Sequence, residues 1–115
     1  MHGLMNGMMR NLPAGTVKIL LVLPYHVFHQ PRPGSRDWAE WGECKRRIAA
    51  LAATLSNAHV LDFMIDSDLT RQDENYWDPL HYTEAVAQVL TQAIGDAVAF
   101  RPDRQGLYRH IGPSR

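Results

Sequence analysis

The stretch TVKILLVL, Thr16 to Leu23, decides the fold class of this chain. Pro13-Ala14-Gly15 opens it and Pro24 closes it. A continuous run of β-branched and leucine side chains reads as a strand covered on both faces, the habit of a parallel sheet. Parallel neighbours need a crossover connection, so the next elements should be a helix and a second buried strand.

Both follow. PYHVFHQPRPGSR, from Pro24 to Arg36, carries three prolines and a glycine and reads as a loop. Asp37 is an expected N-cap, with Glu40 three residues on as in a capping box. Trp38, Trp41, Ile48, Leu51 and Leu55 then fall near helical spacing, with Glu43, Lys45, Arg46 and Arg47 largely on the other side, and the helix should end at Ser56-Asn57. HVLDFM, His59 to Met64, is compatible with a second buried strand. Together these make one right-handed βαβ unit.

IDSDLTRQDENYWDP, from Ile65 to Pro79, is a polar loop with four aspartates, and long loops of this kind are often functional. HYTEAVAQVLTQAIGDAVAF follows as a helix, with Thr83 as N-cap and Val86, Val89, Leu90, Ile94 and Val98 as its apolar stripe. The tail 101–115 adds four arginines to Pro, Gly and Ser and reads as a poorly ordered extension.

With 115 residues the chain is expected to form one domain, burying roughly two-thirds of the surface its unfolded form exposes. Twelve basic residues balance twelve acidic ones, so bulk charge recruits neither nucleic acid nor an anionic membrane. The single cysteine, Cys44, excludes an internal disulfide and a Cys-rich zinc site. The N-terminal stretch MHGLMNGMMRNLPAG lacks the basic start and apolar run of a signal peptide. ILLVLPY, the longest apolar run, is far short of the roughly 20 residues that span a bilayer. The residues assign no compartment beyond the site of synthesis.

Asp78 and His81 are the sharpest chemical pair. A hydrolytic base needs an imidazole with one nitrogen facing the nucleophile, while a carboxylate on the other fixes the tautomer and stabilises the imidazolium. Asp-x-x-His in a turn leading into a helix can place both side chains so, and Pro79 stiffens the backbone between them. With eight Asp and six His in the chain, the spacing alone carries little information. Its surroundings carry more: a long polar loop, aromatics at Tyr76, Trp77 and Tyr82, and a helix immediately after.

In these surroundings the residues resemble the last block of the SGNH (GDSL-like) hydrolases, whose triad Asp and His sit three apart in a loop before the final helix. LLVLPYH, the DWAEWGECKRRIAALAATL helix, VLDF and YWDPLHY run in the order seen in SGNH-like proteins, including relatives of acetyltransferases that modify bacterial polysaccharides. The resemblance covers about residues 10 to 100. It implies a partial three-layer α/β/α, flavodoxin-like fold in which residues 1–100 form the C-terminal portion of one domain. It also implies a Ser-His-Asp chemistry acting on an acyl ester or carbohydrate substrate without a cofactor, with His81 as base and Asp78 as its orienting carboxylate. The nucleophile belongs to a Gly-Asp-Ser-like turn that is not recognisable here. Of Ser35, Ser56, Ser67 and Ser114, Ser35 in PGSRD is the closest approach.

His26 either lines the substrate pocket, beyond the carboxyl end of the first strand, or is a solvated loop residue. His26 and His29 sit three apart, but in a loop rather than on a helix face, so no metal site is expected. Tyr76, Trp77 and Tyr82 either stack on a sugar ring or pack the start of the helix. Asp62, Asp66 and Asp68 read as turn and loop acids, with a calcium or substrate role as the alternative. An apolar strand with an open edge invites a partner chain, so the alternative to an enzyme is a non-catalytic α/β module that associates through its sheet edge, with self-association expected either way.

Overall fold

The computed structural model describes residues 7–113, so Ser114, Arg115 and the first six residues lie outside it. Residues 7–10 form a helical turn. After it come β1 (Lys18–Val22), α1 (Arg36–Ala53), β2 (Ala58–Asp62), β3 (Tyr76–Asp78), β4 (His81–Tyr82), α2 (Glu84–Val98) and β5 (Arg109–Ile111). The architecture is mixed α/β, with a three-stranded sheet in the order β1-β2-β5 and a separate β3-β4 ribbon. Lys18 N donates to Asn57 O and Phe63 N to Val22 O, both at 2.9 Å. The register therefore climbs in the same direction on β1 and β2, which is parallel pairing.

By its contacts the described chain forms two compact units, one of residues 7–20, 31–60 and 111–113, the other of 21–30 and 61–110. In the first, Ala52, Ala58 and Val60 form a buried cluster against which Leu20, Ile48, Leu55 and Ile111 pack. Full burial of a valine or leucine stabilises by roughly 1.5–3 kcal/mol, so this small cluster gains most from Val60 and its leucine and isoleucine neighbours. Lys18 is also buried here, and its ammonium donates to Thr16 O at 3.0 Å, Ser56 O at 2.7 Å and Ser56 Oγ at 3.4 Å. These bonds supply the acceptors that a buried ammonium needs, which is how a lysine is accommodated inside an apolar strand.

The helix α1 starts two residues earlier than its Asp37 capping box implies. Ser35 is the N-cap, and its Oγ accepts from Trp38 N at 3.1 Å. Both residues are good caps; the Ser35 hydroxyl reaches the amide three residues on, and Asp37 instead contributes its charge to the positive end of the helix. The helix ends at Ala53 with Thr54 as C-cap, short of Ser56-Asn57. Asn57 takes a left-handed φ of 52°, and its side-chain amide donates to Ala14 O.

Only β2 is buried at every position. The strand β1 is only partly covered: Lys18 and Val22 are buried, Ile19 and Leu20 are half-buried, and Leu21 is 42% exposed, as are Val17 and Leu23 at similar levels. The expectation of a β1 covered on both faces is thus corrected, because Val17, Leu21 and Leu23 are left exposed.

In the second unit Leu61, Phe63, Met64 and Leu69 are buried, as are Val86, Leu90, Ala93 and Ala97 of α2. Of the expected α2 stripe, Val89 is exposed and the two alanines take its place at helical spacing, since small side chains let the helix pack closely. Thr83 is the N-cap of α2 by backbone conformation, without a side-chain bond. The segment read as a loose tail forms β5, preceded by buried Leu107 and Tyr108. Tyr108 packs its ring 5.2 Å from Phe63, and its N–H donates to Asp103 Oδ2. This apolar pair anchors a segment whose arginines point to an extension on composition alone.

Candidate functional site

The 65–79 loop is tied down by its own polar groups. Thr70, fully buried, donates through Oγ1 to Ile65 O at 2.7 Å, and its oxygen accepts from Ser67 N at 3.0 Å. Val27 N donates to Thr70 O, and Gln30 Nε2 donates to both Tyr25 O and Ile65 O. Asn75 Nδ2 donates to Leu69 O, while its own carbonyl accepts from Thr83 N. Asp66 and Asp68 pair with Arg71 at the surface, as turn acids do, and buried Asp62 accepts from Met64 N.

From this loop the β3-β4 ribbon emerges, with Tyr76 opposite Tyr82 and Asp78 opposite His81. The intervening Pro79-Leu80 closes a tight turn. Asp78 Oδ1 accepts from Leu80 N at 2.9 Å and His81 N at 3.1 Å. His81 Nδ1 lies 2.8 and 2.7 Å from the two carboxylate oxygens. An ionised carboxylate only accepts, so Nδ1 carries a proton, and in the neutral ring Nε2 holds the lone pair. The Leu80 amide, and after it the His81 ring, holds the Asp78 carboxyl below its usual range despite its exposure. Among the described residues nothing hydrogen-bonds to His81 Nε2. The result is an oriented, solvent-facing base.

A second carboxylate–imidazole pair stands beside it. His26 is buried; its Nδ1 accepts from Phe28 N at 3.2 Å, which places the proton on Nε2, 2.8 Å from Asp73 Oδ1. Its tautomer is the opposite of that of His81, and with both nitrogens engaged it is a structural group rather than a free base. Its backbone N–H donates to Pro79 O at 3.0 Å, which fastens the Val27–His29 turn to the turn between Asp78 and His81. Tyr76 sets its ring edge-on to His26 at 5.2 Å and donates from Oη to Pro24 O at 2.6 Å. Burial pushes the Tyr76 phenol up to about 12.

His26, Phe28, Asp73, Tyr76 and Asp78 line a cavity of about 280 Å³. The structure thus brings His26, Tyr76 and Asp78 to one cavity, and His81 to Asp78. It does not bring Trp77 or Tyr82 there: Trp77 is exposed on β3, and Tyr82 is half-buried on β4. Phe28 and Asp73 were missed in sequence. An aromatic residue between two loop histidines is the only signal for Phe28, and Asp73 looks like any other acid in a polar loop. A larger cleft of about 770 Å³ runs along α2, but it holds no imidazole, and Arg101 spends its charge there on Asp96 at 2.9 Å.

The described serines are all engaged elsewhere. Ser35 caps α1, Ser56 donates to Ala14 O, and Ser67 is buried against Thr70. Ser114 lies outside the described residues. Among the described residues no three His, Cys, Asp or Glu side chains gather as metal ligands would. Comparison of the chain with protein-family models, with curated proteins and with solved structures found no match.

Proposed function

We propose that this chain carries the acid–base half of an ester-processing site of the SGNH-hydrolase type, acting in hydrolysis or O-acyl transfer on carbohydrate or other esters. The Asp78 carboxylate 2.7 Å from His81 Nδ1, with Nε2 free, carries this reading. As a hydroxyl oxygen bonds to the acyl carbon, His81 Nε2 takes its proton and Asp78 stabilises the imidazolium. When the carbon–oxygen bond to the alcohol breaks, Nε2 returns that proton to the leaving oxygen. The attacking hydroxyl is not assigned to a residue of this chain, so turnover by the chain alone should be slow.

The test is hydrolysis of 4-nitrophenyl acetate by the chain, set against free imidazole at equal concentration. We expect a rate above that of imidazole, lost in His81→Ala and kept in His110→Ala. Equal rates for His81→Ala and the unaltered chain would sink the proposal. A second reading, a binding module that recruits a partner through its sheet edge, is favoured by the open edge of β1 and exposed Leu21. Absence of esterase activity together with concentration-dependent association would select it.

A further inference from the structure

The cavity beside Asp78 has a chemical bias. One wall is aromatic: Phe28 is 84% exposed, its ring tilted at 5.3 Å from His26, and Tyr76 meets His26 edge-on at 5.2 Å. Two carboxylates, Asp73 and Asp78, share the lining with His26 and His29. His26 is held by its own contacts, Nδ1 accepting from the Phe28 amide and Nε2 lying 2.8 Å from Asp73 Oδ1. Asp73 meets His26 through Oδ1, and its side chain is 88% exposed. No lysine or arginine lines the cavity, and the segments 24–30 and 72–82 contain none. At about 280 Å³ the space falls at the lower end of the ~300–1,000 Å³ of small-molecule sites, enough for one ring or head group.

Exposed aromatic faces beside carboxylates that no lysine or arginine neutralises attract a cation twice, through the ring quadrupole and through charge. They repel a carboxylate or a phosphate. We propose that this cavity binds a single ammonium-bearing ring or head group, the cationic part of the ester on which Asp78 and His81 act. The ester clause rests on the function proposed above; the binding clause does not. The selectivity element is Asp73 with Phe28, since Asp78 is committed to His81.

The experiment is an amide-resolved NMR titration of the whole chain with choline, glucose and glucuronate in turn. Choline should shift the amides of Phe28, Asp73 and Tyr76 saturably, glucose should do so less, and glucuronate should leave them in place. Asp73→Asn retains an acceptor for His26 Nε2, and Phe28→Leu changes an exposed site, so both should fold. Each should weaken choline binding by about two- to fivefold, the range expected for an exposed cation contact. Glucuronate binding as tightly as choline, choline binding unaltered in both variants, or no saturable shift with choline would each overturn the proposal. Choline binding without hydrolysis of acetylcholine or 4-nitrophenyl acetate would support the binding site and remove the proposed catalysis.

Discussion

Asp78 shows how much one side chain can be asked to do at once. Its carboxylate closes the turn through the Leu80 and His81 amides and fixes the His81 tautomer with the same two oxygens. Asp78→Asn is expected to keep the turn, because an amide oxygen still accepts from Leu80. It should free the His81 ring to adopt either tautomer, and nitrogen chemical shifts of the imidazole would read this directly. Loss of the tautomer lowers a Ser-His-Asp enzyme by about 10⁴, so any esterase activity should fall below detection. The sign of the pH dependence follows from the lowered Asp78 value. A carboxyl held below its ordinary range stabilises the fold above that range, and the contribution disappears as pH falls through the lowered value. Thermal melts of the unaltered chain should therefore drop on the acid side of the carboxylate range, with a shallower drop in Asp78→Asn; identical acid limbs would contradict the link. This pair was legible in the sequence because it is local. The His26–Asp73 pair, 47 residues apart, was not, since its members meet only through the fold of two loops.

At the scale of elements, apolar periodicity located β1, α1, β2 and α2, and polar detail moved their ends. Ser35 and Asp37 compete for the start of α1, and only the backbone conformation distinguishes them: Ser35 is extended, with φ −80° and ψ 165°, and Asp37 is within the helix. Ser35→Ala is expected to cost about 1 kcal/mol, while Asp37→Ala should cost only the few tenths of a favourable dipole contact. Equal costs in denaturant unfolding would return the cap to Asp37. The β3-β4 ribbon and β5 were not legible for a different reason. Strands of two or three residues offer no periodicity, and β5 sits among Arg, Pro and Gly that mask the buried Leu107-Tyr108 pair. Tyr76 binds the ribbon to the loop after β1 through Pro24 O. Tyr76→Phe leaves that carbonyl without its partner, and a loss of about 0.5–1.5 kcal/mol is expected.

For the whole molecule the deciding feature is the order β1-β2-β5, which among the described residues leaves β1 at an edge. An edge strand exposes a row of unpaired backbone groups, and natural proteins protect such rows with charge, proline or a covering segment. The β1 edge has little of this protection: Lys18 is turned inward and buried, while Val17, Leu21 and Leu23 present apolar side chains to solvent. Pro13 and Pro24 flank the strand without interrupting it. Net charge adds no long-range repulsion either, because twelve acidic and twelve basic residues cancel. Together these features favour edge-to-edge pairing of chains, and the chain is expected to associate in a concentration-dependent way. Leu21→Lys places a charge on the strand where Leu21 is 42% exposed, and that charge repels its own copy in a second chain. Light scattering should show the unaltered chain gaining mass with concentration and the Leu21→Lys chain staying monomeric, with circular dichroism unchanged between them. A monodisperse monomer before the substitution would mean that the β1 edge is protected by something other than charge or cover, and would remove the binding-module reading along with the association.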